Sequence, residues 1–458
     1  MIENDAFKLL LINLFHLNPD DITNIVCTTF NKMMVLIVTL ADKHQACPYC
    51  GFTVSKIKEY VTKEITHSAL TTQKCIIKYR ARRYKCPCCG KTYYEFNPFV
   101  FKSQKISILT VHNILKDLKD FNETFTSVAR RYHVSPTSVS TIFDNHVDIG
   151  RNPLPEIINF DEVYAFKSEK SKYVCVLLDF KKQIPVDVLP NRKKEYLLNY
   201  FQKIPLEERK KVKYACSDMY EVYRDVVHKV FPEAKHLLDY FHLSQDFHRK
   251  MNEVRIKVMK GYKDDKASDE YYLLKKFNWL LFKNPEDEDK YGRLFDVERE
   301  RKYNSHFKSY MNYYDLRRKL LEINNDLTIC YSLKLELVDF YSKSTIDNAK
   351  VNLENLIRSF IDTNIEEMIK FSNNLINWKQ EIINSFTIVG TEYKVEADKG
   401  QVVVCNKKVN NAIIENRNKI IKCIKNNANG YTNWVRFRNR VMYVLDPNAT
   451  FSLEPREK

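Results

Sequence analysis

Ile157-Ile158-Asn159-Phe160-Asp161 is an apolar run that delivers a carboxylate at its end. Two more strand-like runs follow, Tyr173-Val174-Cys175-Val176-Leu177-Leu178-Asp179 and Ile184-Pro185-Val186-Asp187-Val188-Leu189. The period then changes, and Glu195 to Phe201 suits a helix. Val212 to Cys216 reads as a fourth strand ending at Ser217-Asp218. A helix around Tyr220–Val230 leads to a fifth short strand, His236-Leu237-Leu238, which enters Asp239-Tyr240-Phe241-His242.

Three strands, a helix, a strand, a helix and a strand is the order of a ribonuclease-H-like mixed sheet, an α/β fold. Strand-end aspartates are most often turn formers. Here Asp161 and Asp218 fall where a two-metal phosphoryl-transfer site needs bare carboxylates. Mg²⁺ takes oxygen ligands, so two such acids and one later acid would form its protein shell.

The rest of the chain favours a polyanionic partner. Lys and Arg number 74 against 58 Asp and Glu, a net charge of +16, which puts nucleic acid first. The apolar run Met33 to Ala41 is too short to cross a bilayer. Glu3 and Asp5 precede the first lysine, which argues against a signal peptide. A cytosolic protein is expected, with its 12 cysteines reduced or metal-bound.

Cys47-Pro48-Tyr49-Cys50-Gly51 and Cys86-Pro87-Cys88-Cys89-Gly90 are matched knuckles. Together Cys47, Cys50, Cys86 and Cys89 supply the four sulfurs of a structural Zn²⁺ site, with Cys88 spare. The segment between them suits a zinc ribbon with Lys74–Tyr84 as one arm. Arg82, Arg83 and Lys85 lie in a basic, aromatic run that can grip phosphates or form a solvated strand face.

Residues 105–147 read as a helix-turn-helix unit. Ser135-Pro136 is a good N-cap and N1 pair for its last helix. Val139, Ile142 and Phe143 would face inward, while Ser138, Ser140 and Thr141 would face a major groove.

Beyond His242 roughly 140 residues read as mostly helical, with core stripes such as Leu273, Leu274, Phe277, Leu280 and Leu281. No Gly-rich phosphate loop occurs, so ATP-dependent chemistry is not indicated. After a strand-like stretch at 387–404, a basic helix begins near Ile413. Glu415 at its start can join a metal site, while Lys419 and Lys422 can bind phosphates.

Taken together, the ordered motifs resemble the bacterial insertion-sequence transposases of the ISL-three group. The residues carrying the resemblance are the cysteine knuckles with Arg82-Arg83-Tyr84, Asp161-Glu162-Val163, Leu189-Pro190-Asn191-Arg192, Ser217-Asp218-Met219 with Tyr223, and Asp239-Tyr240-Phe241-His242. A late Glu segment with Gly430-Tyr431 and Phe437-Arg438 completes them. The resemblance implies a DDE transposase that binds the ends of its element and performs metal-dependent DNA cleavage and strand transfer. It implies Asp161, Asp218 and Glu415 as acids for two Mg²⁺ (or Mn²⁺), with Asp239 and His242 in support. Asn416 stands where the family has Gly and 387–409 is an added piece, so Glu381 is the alternative third acid.

The expected division is a zinc-ribbon domain (1–100), a helix-turn-helix domain (101–150), the first part of the core (151–245), a mainly helical insertion (246–400) and the rest of the core (401–458). Double-stranded DNA, as transposon ends and target, is the expected partner, bound by a homodimer or higher oligomer. The alternatives are a catalytically inactive, domesticated DNA-binding protein and a zinc-containing transcription regulator.

Overall fold

The computed structural model describes residues 2–43, 45–53, 56–68, 70, 72–101, 104–166, 171–395 and 402–456. The first element is helix α1 (Ile2–Leu14), followed by strands β1 (Ile22–Phe30) and β2 (Met33–Leu40). Leu36 and Val38 alternate onto one face of β2, and a register shift between Ile22 and Asn24 puts Ile22 and Ile25 of β1 on the same face, buried against Leu11, Ile12 and Phe15. The arms β3 (Lys56–Thr66) and β4 (Cys75–Lys85) join this pair in the order β1-β2-β4-β3, with β5 (Thr92–Tyr94) beside β4. Strands β1 and β2 widen the expected ribbon into a five-stranded sheet.

Helices α2 (Ile108–Asp117), α3 (Phe125–Arg131) and α4 (Pro136–His146) form a three-helix unit. Ser107, Thr124 and Ser135 each cap the helix that follows them. The left-handed backbone of His133 (φ 54°) makes the tight turn between α3 and α4.

The central sheet is built from β6 (Ile157–Val163), β7 (Val174–Asp179), β8 (Pro185–Leu189), β9 (Tyr214–Ser217) and β10 (Lys235–Leu238). Its order is β10-β9-β6-β7-β8. The β6-β7 and β7-β8 pairs are antiparallel, and β6-β9 and β9-β10 are parallel. Helix α5 (Lys194–Gln202), the short α6 (Leu206–Arg209) and α7 (Glu221–Val230) connect β8, β9 and β10. On one face Phe160, Cys175 and Leu177 meet Leu197, Phe201 and Tyr223 of α5 and α7. On the other, Val163, Val174, Val176 and Val188 meet the two final helices, α15 (Ala412–Asn427) and α16 (Trp434–Leu445).

Between β10 and α15 lies a helical block of α8 (Tyr240–Lys260), α9 (Asp269–Lys276), α10 (Tyr313–Glu322), α11 (Asn325–Lys343), α12 (Ala349–Ile361), α13 (Glu366–Asn377) and α14 (Lys379–Asn384). Two small hairpins, β11 (Glu288–Asp289) with β12 (Gly292–Arg293) and β13 (Lys302–Asn304) with β14 (Ser309–Met311), interrupt it. The block has its own core, in which Leu273, Leu274, Leu280 and Leu281 are buried with Leu320, Leu353 and Phe371. A last hairpin, β15 (Ile388–Val395) with β16 (Val402–Lys408), leads into α15. Among the described residues no helix is long and apolar enough to cross a membrane.

Candidate active site and metal centres

Strand periodicity sends neighbouring acids of β6 to opposite faces of the sheet. Asn159 and Asp161 face α15, whereas Glu162 faces α7. Asp161 does not end its strand, as the sequence suggested: it pairs with Val176 of β7 inside β6. The parallel ladder to β9, however, stops at Asn159 opposite Cys216. Past that point β6 has no neighbour on its β9 side. Asp218, directly after β9, and Asp239, directly after β10, emerge at the same end of the sheet.

Helix α15 closes this end. Its Asn418 donates from Nδ2 to Asp161 Oδ2 at 2.7 Å, and the Glu162 N–H donates to Asp161 Oδ1 at 2.7 Å. At the mouth of the helix the fully buried Asn411 donates its N–H to Asp239 Oδ1 at 3.3 Å and its amide to the Phe160 carbonyl at 3.2 Å. Asn159 donates in turn to Asn411 Oδ1 at 2.7 Å. These amides fix α15 across the strand ends, with Glu415 in its first turn.

Ligand atoms of Asp239, His242 and Glu415 lie within 4.8 Å of one another. Two members of this donor set, Asp239 and His242, were expected only in support. Asp161 and Asp218 stand outside that trio but share its electrostatics. Burial raises the Asp161 pKa to about 7; His242 opposes the rise, and the charges of Asp218, Glu415 and Asp239 add to it. Burial also raises Asp218, against the pull of His242 and Arg192, and raises Asp239. Asp218 Oδ1, Asp239 Oδ2 and His242 Nε2 are buried without a hydrogen-bond partner. Buried polar atoms left this way are costly unless something else satisfies them. Oxygen-rich, mutually repelling and unsatisfied, the group fits divalent cations of the Mg²⁺ or Mn²⁺ type.

Glu381, the alternative third acid, lies elsewhere. It is buried beside His236 (3.9 Å), whose Nε2 meets Ser217 Oγ at 2.9 Å. Burial lowers that histidine's pKa to about 3, leaving it neutral.

The sequence did not assign roles to Glu162, Arg192 and Tyr223, although it singled out their motifs. Arg192 ion-pairs with Glu162 and lies between the rings of Tyr173 (4.6 Å) and Tyr220 (4.8 Å). Tyr223 donates to Glu162 Oε2 at 3.0 Å. This lattice anchors the segment behind Asp218.

A second centre lies near the N-terminus. Sγ atoms of Cys47, Cys50, Cys86 and Cys89 all lie within 4.8 Å of one another, with Cys47–Cys89 at 3.7 Å and Cys50–Cys86 at 3.6 Å. Thiolates about 2.3 Å from a tetrahedral ion are spaced in this way. Gly51 (φ 73°) and Gly90 (φ 71°) adopt the left-handed backbone that closes each knuckle. The backbone N–H of Cys89, aided by that of Cys88, lowers the Cys86 pKa to about 7. Exposed Cys88 stays outside the cluster.

One expected phosphate contact is corrected. Arg82 turns inward, pairing with Glu95 at 2.7 Å and donating to the carbonyls of Leu40 (3.0 Å) and Ala41 (3.3 Å). It ties β4 to the end of β2 and is consumed there. Arg83 pairs with Glu59 at 2.7 Å and is half-buried, while Lys85 is exposed. On α4, Thr141 is exposed and Ser138 and Ser140 half-buried; Lys419 and Lys422 are exposed on α15.

No curated protein matches the chain. A family model described as "Transposase", that of the ISL-three DDE group, matches residues 158–397, from β6 into the segment that follows α14. That is 240 of the 458 residues, and it takes in Asp161, Asp218, Asp239 and His242 but ends before Glu415. The chain belongs to the ISL-three family of DDE transposases.

Proposed function

We propose that the protein cuts and joins DNA at the ends of its element, using Asp161, Asp218 and Glu415 as the acids of a divalent-metal site. One observation carries the reading: acids from β6, β9, β10 and α15 converge where the sheet ends, buried, charge-repelling and incompletely hydrogen-bonded. A protein that only bound DNA would gain nothing from such a cluster and would bear its cost. The strand order β10-β9-β6-β7-β8, with β6-β7-β8 antiparallel and β9 and β10 parallel to β6, supports a ribonuclease-H-like core. Two Mg²⁺ or Mn²⁺ ions, when bound, would supply positive charge for the attacking and leaving oxygens of the phosphate.

The chain's own groups do the rest. Asn418 fixes the rotamer of Asp161, and the Asn411–Asn159 contacts set the distance from α15 to the strand ends. Arg192 offsets part of the negative charge beside Asp218. Asp239 and His242 sit close enough to Glu415 to share its ligand sphere. In the three-helix unit, α4 would read bases through Ser138, Ser140 and Thr141, while Arg83, Lys85, Lys419 and Lys422 would contact phosphates. The four-thiolate centre would hold one structural Zn²⁺.

The test uses the full chain with duplexes of the element's two ends. Nicking should require Mg²⁺ or Mn²⁺, stop with chelator and return when the metal is restored. Cutting that persists in chelator refutes the metal-site reading.

A further inference from the structure

The loop joining α15 to α16, residues 428–433, carries the Gly430-Tyr431 motif, which the acid cluster does not use. It faces the start of α3 across an open cleft of about 450 Å³. The lining offers donors and neutral groups, including Thr126, Asn429 and Thr432, and two guanidiniums, Arg130 and Arg436; its Ser127 hydroxyl is committed to Glu123. Asp144 of α4 holds Arg436 through contacts of 2.6 to 3.2 Å and neutralises it. Arg130 is exposed and has no ion-pair partner among the described residues.

The two walls are locked together. Tyr443 of α16 donates to the Leu115 carbonyl at 3.0 Å, and Arg440 donates to the carbonyls of Asp120 and Glu123 at 2.8 Å. Lys119 reaches the Asp446 carbonyl at 2.8 Å. The cleft therefore cannot widen without breaking the docking of the three-helix unit. It also lies at a fixed distance from the acids: the 12 residue steps of α15 from Glu415 to Asn427 rise about 18 Å, roughly 5 base pairs of B-DNA.

We infer that this cleft grips the phosphodiester backbone of duplex DNA between the base-reading helix and the bond to be cut, setting their spacing. The inference rests on the transposase reading. An open cleft with one uncompensated cation and neutral donors suits a phosphate already held by its polymer. A small free anion would need a more enclosed, more strongly charged seat. Phosphate contacts of this kind position a protein without reading sequence.

The test compares wild-type full-length protein with Arg130→Gln and Asn429→Asp on duplexes of the element's ends and on a shuffled duplex. Asn429 has φ 54°, a conformation Asp tolerates, so the second variant keeps the loop and adds one negative charge. Both variants should weaken binding to all duplexes by a similar factor, roughly tenfold for Arg130→Gln. The slope of log K against log salt should fall by about 1 for Arg130→Gln. A neutral methylphosphonate about 5 base pairs from the cut bond should weaken the wild type and leave Arg130→Gln unaffected. Unchanged affinity and slope in both variants, with a wild type that still cuts DNA, overturns the cleft alone. So does a loss confined to the end sequences, or inorganic phosphate competing as well as duplex. A wild type that binds neither duplex overturns the cleft together with the transposase reading.

Discussion

Asp161→Asn removes a charge that the fold tolerates poorly. The side chain is 7% exposed, and its pKa moves from 3.8 to about 7, chiefly through burial. That displacement corresponds to about 4 kcal/mol between the two protonation states. The folded-state value is the raised one, so the unfolded chain ionises this acid first. Metal-free stability is therefore fully present below about pH 4, falls as pH rises towards 7, and stays reduced above it. Asn is nearly isosteric and stays neutral throughout. Asn418 can turn its amide so that its unpartnered Oδ1 accepts from the new amide, which keeps the 2.7 Å contact. Urea unfolding in chelator should find the variant equal to wild type near pH 4 and more stable by up to about 4 kcal/mol near pH 8. Mn²⁺ should then stabilise the wild type and do little for the variant, closing the gap. A variant less stable than wild type near pH 8, or one that gains as much from Mn²⁺, would show that Asp161 is neither a strained charge nor a metal ligand.

Elemental analysis should find about one zinc per chain, and Cys86→Ser with Cys89→Ser should remove it and loosen the N-terminal sheet, seen as faster proteolysis within residues 1–100. Arg82→Ala breaks a partly buried, hydrogen-bonded pair whose side chains are 14% and 7% exposed, so it should cost about 2 kcal/mol in unfolding while leaving the salt slope of DNA binding unchanged. Arg83→Ala should do the reverse, costing under about 1 kcal/mol of stability and weakening binding to every duplex alike. Changes at Ser138 or Thr141 should instead alter the preference between end and shuffled duplexes, as measured by competition.

The central sheet was legible because its strands are short apolar runs bounded by turn signals, and each run recurs within two residues of its expected place. The knuckles were legible because four thiolates at one ion allow few spacings. Other features depended on tertiary contacts that no local pattern carries. Residues 22–40 read as indistinct apolar runs because their partner, β4, lies across the first knuckle. Arg82 looked like its basic neighbours until Glu95 and two carbonyls enclosed it. Asp161 read as a strand end because the sequence shows where apolar residues stop; the early end of the β9 ladder is visible only in the fold. Glu415 is separated from Asp218 by the whole helical block, and its placement comes from Asn411 and Asn418, whose amide contacts a sequence does not display.

The proposed metal site takes Glu415, and not Glu381, as the third acid beside Asp161 and Asp218. The most direct measurement is single-turnover cutting of end DNA by Asp218→Asn, Glu415→Gln and Glu381→Gln beside wild type, with binding of the same DNA followed in parallel. Asp218→Asn and Glu415→Gln should bind normally and cut slower by several orders of magnitude, roughly 10³-fold or more, while Glu381→Gln stays near wild type. Near-normal cutting by Glu415→Gln, with the loss appearing in Glu381→Gln instead, would contradict this choice of third acid.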